Sequence, residues 1–188
     1  TLVLRDGVRV NSATSGAASL PFIDTTDIKQ IEILKGPASV LYGTDAISGV
    51  VQLISKTPEK TAAFVTAEMG ENKTYKSVIG ADLAEDGFYA QVRGQRLETD
   101  GTPVKDVKNA PNAAFDQKGY SAKVGVDKES YAASVDYSEN KGSSDYDNYG
   151  ALVSQDFKNE ILNVKGRLNV LDNLAIHARF SQFKDEID

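Results

Sequence analysis

From residue 61 onward, apolar and polar side chains alternate along the chain with a period of two. Tyr75, Ile79, Ala81 and Leu83 fall on one side of an extended segment, with Lys76 and Asp82 on the other. Tyr131, Ala133, Val135 and Tyr137 oppose Ser134, Asp136 and Ser138 in the same way. Leu162, Val164, Leu168 and Val170 oppose Asn163, Lys165, Arg167 and Asn169, and Leu174, Ile176, Ala178 and Phe180 oppose His177, Arg179 and Ser181. A helix would repeat its apolar positions every three to four residues, which these segments do not. The spacing predicts seven strands, over 61–70, 74–84, 88–98, 118–127, 130–140, 159–171 and 174–184. Turns at 71–73, 85–87, 128–129 and 172–173 join them, with long loops over 99–117 and 141–158.

Strands of this length exceed the soluble mode of about 5–6 residues. They match a tilted bilayer crossing, which takes about 9–11. After the first hairpin the connections alternate short and long, as in a barrel with tight turns on one side of a membrane and larger loops on the other. A soluble antiparallel sheet with one wet face satisfies the same alternation. Tyr75, Phe88, Tyr89, Tyr120, Tyr131, Tyr137 and Phe183 fall near predicted strand ends, where interfacial aromatics belong. An open curl of seven strands would leave two raw edges in lipid, so a barrel reading requires further strands.

Before residue 57 the pattern differs. Short apolar runs ("TLVL", "IEIL", "GVVQLI") are separated by Gly, Ser and Asp, and the composition changes at "SKTPEK". Two units are therefore expected, 1–57 and 58–188. Within the first, "GPASVLYGTDAISG" invites a phosphate-loop reading. Its glycines at 36, 43 and 49 are too widely spaced for a dinucleotide fingerprint, and no lysine follows Gly43 until Lys56. A structural account serves better: Pro37 keeps Gly36 out of the helical region. "ASVLYG" then makes a helical turn closed by Gly43 in the left-handed region, and "TDAISG" returns the chain to a strand.

A net charge of −6 argues against nucleic acid as a partner. With no cysteine and a single histidine, thiol chemistry is absent and no nucleophile–base set can be named, so an enzyme is not expected. His177, on a polar strand face with Arg179, is read as a lumen-facing wall residue, and Glu32 and Lys35 as a structural ion pair. No apolar run approaches the ~18 residues of a spanning helix. "TLVLRDG" opens inside a strand-like run, and we expect a piece of a longer protein.

"DIKQIEILKGPASVLYGTDAISGVVQLISKTP" resembles the end of the plug domain of TonB-dependent outer-membrane receptors, and "LVLRDGVRVN" resembles the strand and turn before it. Lys35 and Gln52 depart mildly from the family pattern, where arginine and asparagine are common. The resemblance implies a mainly β chain: the C-terminal part of an α+β plug domain, then the first seven or so antiparallel strands of a transmembrane β-barrel, about 22-stranded if complete. It further implies a monomer in the bacterial outer membrane that binds a scarce nutrient. A TonB complex would engage an N-terminal segment absent here.

Within the family the chain is most similar to the vitamin B12 (cobalamin) receptors, in the apex loop "DGVRVNSATSGAASLPF" and in "SSDYDNYGALVSQDFKNE", which is similar to their calcium loop. That similarity implies Thr14 and Ser15 as substrate contacts and Tyr146, Asp147 and Asp156 as calcium ligands, with Asp106 and Asp116 as further candidates. Asp145, Asp147, Gly150 and Asp156 also stand at EF-hand-like spacing, and calcium takes six to eight oxygens. A solvated acidic loop is the plainer reading of the same residues. A ferric-siderophore receptor is the alternative within the family. From another class, a soluble β-rich binding or adhesion module would lack an apolar belt.

Overall fold

The computed structural model describes residues 1–188 apart from 13, 14, 19, 38, 106–109 and 172. Strands β1 (Leu2–Arg5), β2 (Val8–Arg9), β3 (Ile28–Lys35) and β4 (Gly49–Ser55) form one sheet in the order β2-β1-β4-β3. β1 and β2 are antiparallel around Asp6 and Gly7, which have φ of 50° and 81°. This is the two-residue Asp-Gly turn that matches strand twist. β1 runs parallel to β4, and β3 antiparallel to it. Between β3 and β4 the chain makes the expected helical turn, α1 (Ser39–Tyr42), and a 3-10 turn at Thr44–Ala46. Gly43 has φ 86° and ψ −177°, so α1 ends on an extended glycine rather than a left-handed helical one. Leu2, Leu4, Ala46 and Val50 pack on one side of this small sheet; Val3, Val8, Val10 and Leu53 pack on the other, against Ile161.

One expectation fails here. Glu32 and Lys35 form no ion pair, because three residues apart in a strand they point to opposite faces. Glu32 instead accepts a hydrogen bond from Gln30 Nε2 at 2.9 Å.

The second sheet is an antiparallel meander of β5 (Ala62–Gly70), β6 (Thr74–Glu85), β7 (Phe88–Thr99), β8 (Phe115–Asp127), β9 (Tyr131–Asn148), β10 (Ala151–Leu171) and β11 (Leu174–Ile187). Each strand pairs with the next, and β5 and β11 are its edges. All seven predicted strands are present. The predicted loop over 141–158 is not a loop. β9 and β10 stay paired to Asn148↔Ala151 and turn through Tyr149 and Gly150, at φ 50° and 104°. Over 142–156 neither face of that extension is buried and there is no apolar alternation, but a ladder is held by backbone bonds and does not need one. The other connection shortens to 100–114 and carries a Pro103↔Asn112 bridge.

The two faces of the meander have the reverse polarity of a soluble sheet. Ile79, Val92, Val124, Val135, Ile176 and Phe180 are exposed on the convex face. Gln91, Arg93, Gln117, Asn140 and Asn163 are buried on the concave face, toward the small sheet. A soluble antiparallel sheet packs its apolar face inward, whereas a transmembrane barrel alternates apolar-out with polar-in. Two aromatics depart from the expected girdle: Tyr89 and Phe183 lie on the concave side, and Phe183 packs beside Ile161 against the small sheet.

Candidate functional site

The loop from Val10 to Phe22 lies against the concave face and is pinned at both ends. Asn11 is buried; its Oδ1 accepts from Val3 N–H at 2.8 Å, and its Nδ2 donates to Thr1 O and Gly16 O at 3.1 and 2.9 Å. One amide thus ties the loop back onto β1. Ser12 N–H donates to Ala17 O at 2.8 Å and closes the tip. Ser15 sits exposed in that tip, its Oγ accepting from Ala17 N–H at 3.2 Å. Thr14 lies outside the described residues.

At its far end the loop fastens to the wall through Phe22. The ring stacks on Phe157 of β10 at 4.1 Å between centroids and 5° between planes, and Phe157 stacks in turn on Phe115 of β8. Phe22 O accepts from Asn140 Nδ2 and from Asn159 Nδ2. Behind it, Arg5 donates to both carboxylate oxygens of Asp27 at 2.8 and 2.7 Å, both residues being buried. Both bonds come from Arg5 Nη2, while Nη1 donates to Asp24 O at 3.2 Å, so one buried guanidinium ties together two points of the chain after Phe22.

The β1–β2 turn makes the second contact. A side chain at Gly7 would meet only the guanidinium of Arg179 on β11, a flexible end that can move aside, so it is the φ of 81° that favours glycine here. Asp6 accepts from Ser55 N–H at 3.0 Å. Burial pushes its carboxyl upward, but the Ser55 hydrogen bonds and the nearby Lys123 and Lys165 outweigh this and hold it below its ordinary value of 3.8. Lys123 donates to Ser55 Oγ and to Lys56 O. The small sheet is therefore seated on both kinds of contact: an apolar cluster around Ile161 and Phe183 with the Phe22 stack, and polar or charged contacts at Ser55, Lys123 and Asn140. Several buried polar atoms on the concave face, including both of Asn163, have no protein partner among the described residues. Sites of that kind take ordered water.

The carboxylates expected at a calcium site do not converge. Asp116 and Asp156 both stand opposite Ser143, on the convex face. Asp116 lies 3.5 Å from Arg96, and Asp147 is 3.3 Å from Lys105. Asp147 is four residues along β9 from Ser143, about 13 Å at strand rise. Tyr146 stands opposite Val153. Asp106 lies outside the described residues. Among the described residues no three His, Cys, Asp or Glu side chains are grouped to hold a metal. The hairpin explains this: an EF-hand-like spacing needs a loop that wraps the ion, and here the same residues are spread along two strands. The described residues do not fit the ion. His177 lines a hollow of about 510 Å³ on the concave face with Lys165, Arg167 and Arg179.

Residues 1–50 match the model of the TonB-dependent receptor plug domain. The chain carries a TonB-dependent receptor plug. Along its whole length it is similar to the vitamin B12 transporter BtuB of Photobacterium profundum, with 32% identity over 98% of this chain and 31% of that protein. The same transporter from Vibrio vulnificus (strain YJ016) is 55% identical over 53 residues, 28% of this chain and 9% of its own length. Among solved structures, the copper transporter OprC superposes with a TM-score of 0.78 at 19% identity, covering 96% of this chain and 28% of its own. The ferric-catecholate import receptor Fiu from E. coli K12 superposes at 0.77 with 17% identity, covering 97% and 32%. These two share the fold. The meander after the plug thus has the fold of the corresponding strands in these structures, and the chain spans about a third of the length of the relatives it matches.

Two residues that organise the plug's apex and seat, Asn11 and Phe22, are not prominent in the sequence. Asn11 reads as one polar residue among several in "VNSATSG", and only the N–H of Val3 across the loop shows its role. Phe22 had a readable signal: an isolated large aromatic in a stretch of small residues needs an apolar partner elsewhere.

Proposed function

We propose that the parent protein is an outer-membrane TonB-dependent receptor that captures cobalamin outside the cell and passes it to the periplasm. The observation that carries the substrate is the 32% identity with a vitamin B12 transporter over 98% of this chain. In this reading the chain divides at 57/58 into plug and barrel wall. The 100–114 and 149–150 connections face outward, and Ser15 with its neighbour Thr14 presents the plug apex to the nutrient. In this reading an energy-coupled partner displaces the plug: its hydrogen bonds to the wall can be exchanged for water at small net cost, while the apolar contacts of Phe22 and of the cluster around Ile161 are what the coupled energy must overcome.

Calorimetry of the full-length receptor in detergent tests the reading. Titration with cyanocobalamin should give saturable, tight binding that weakens in Ser15→Trp. Absence of binding would remove cobalamin and turn attention to ferric siderophores in the same assay. Repeating the titration after chelation tests the acidic residues separately, since affinity that does not change leaves them without a metal role.

A further inference from the structure

Asn163 on β10 is fully buried, and neither its Oδ1 nor its Nδ2 has a partner among the described residues. A residue on the concave face of a single sheet is shut off from solvent only where something lies over it, and here that is the small sheet. Two residues along β10 in one direction, Ile161 packs against Val3, Val8, Val10 and Leu53. Two residues in the other direction, Lys165 neighbours Asp6 of the β1–β2 turn. Asp136 on β9 and Ser181 on β11 stand directly opposite Asn163, yet neither hydrogen-bonds to it. Two other amides of the seat differ, since Asn140 and Asn159 both donate to Phe22 O.

An amide buried without partners raises the free energy of the state that buries it, through the hydration it gives up. A trapped water offsets part of this but adds the entropy cost of holding it. With the plug seated, Asn163 carries that penalty; with the plug displaced, its amide is open to water. The residue therefore weakens the seated state alone, between an apolar contact on one side and a charged one on the other. Buried polar groups are paired in the great majority of cases, so an exception calls for a cause other than stability. Leucine has nearly the same shape and no polar atom, and would remove the penalty without opening a cavity.

We propose that Asn163 is a release residue of the uptake cycle: its poorly compensated burial loosens the plug on the wall, so that less work displaces it. The inference rests on the reading of the parent as an energy-coupled uptake receptor. Asn163→Leu in the full-length receptor tests it, with Asn163→Val as the smaller variant should leucine disturb the wall. Hydrogen exchange in detergent reads plug opening directly. Amides of residues 2–10 should exchange about tenfold more slowly in either variant, the effect of relieving one unpaired amide. Calorimetry should show cyanocobalamin binding with unchanged affinity, because Asn163 is buried under the small sheet while Ser15 is exposed in the loop tip. Uptake of radiolabelled cyanocobalamin by energised cells should show a several-fold lower maximal rate at an unchanged half-saturating concentration, a split that a merely structural residue would not give. Unslowed exchange in both variants would overturn the proposal, since the amide would then be a satisfied part of the seat. So would slower exchange with the maximal rate unchanged. A wild-type receptor that neither binds nor imports cyanocobalamin would count against the substrate alone, and the exchange arm would still decide whether Asn163 loosens the plug.

Discussion

Asn11, Phe22 and Asp6 each hold the plug by a different kind of force, and each gives a separable prediction. Asn11→Ala leaves the buried N–H of Val3 unpaired, a loss of about 1–3 kcal/mol, and frees the Ser15 tip. Denaturant unfolding of the variant should show the loss, and hydrogen exchange should show faster exchange at Ser12 and Ala17. Phe22→Ala removes the stack on Phe157 and should cost about 3–5 kcal/mol of plug docking, read as greater protease access to residues 12–28. Asp6 acts through pH. Its native pKa lies below its ordinary 3.8, so the unfolded state binds the proton more readily. The stabilisation is complete above that ordinary value and is lost as pH falls through the native one. Acid unfolding followed between pH 5 and 2 should be less steep in Asp6→Asn than in wild type; identical slopes would refute the role given to the carboxylate. Of these three, Asp6 is visible in the sequence as half of an Asp-Gly turn and Phe22 as an isolated aromatic, while Asn11 is not; the charge partners of Asp6, Lys123 and Lys165, lie far along the chain on β8 and β10.

The β9–β10 hairpin shows where a period-two pattern stops being informative. In β6 and over 131–139 of β9, one face is apolar and turned outward, so the side chains alternate and the strand can be read directly. Over 142–156 neither face is buried, the alternation lapses, and "GSSDYDNYGALVSQD" looks like a loop. The remaining signal was Gly150, needed for φ of 104°, but the usual Asn or Asp before it is replaced by Tyr149. The resemblance to a calcium loop depended on that stretch being unpaired, and the carboxylate set does not assemble for the same reason. Gly150→Val should strain the turn by about 1–2 kcal/mol. The expected result is protease cleavage near residues 146–153 with the membrane-level strands intact.

For the whole molecule, what was legible was the set of seven strands and the plug motif; what was not was which face of the sheet is which. Alternation assigns Val135 and Asp136 to opposite faces, but a soluble and a membrane sheet produce the same alternation. Burial decides between them: Asn163 is fully buried while Phe180 is 61% exposed. The membrane wall stands or falls with that inversion. An outward cation at mid-wall should be costly, so Val135→Arg should destabilise the receptor in lipid by about 2–4 kcal/mol, whereas inward Asp136→Asn should not show that penalty. The most direct measurement uses spin labels, since this chain has no native cysteine to interfere. Single cysteines at 91, 92, 123, 124, 135, 136, 163 and 164 of the full-length receptor in lipid vesicles would be labelled and read for accessibility to oxygen and to a water-soluble nickel complex. An inverted wall predicts high oxygen and low nickel accessibility at 92, 124, 135 and 164, with oxygen accessibility low at the alternate positions. Nickel access to the four apolar positions, with the alternate positions equally lipid-exposed or the alternation absent, would contradict it.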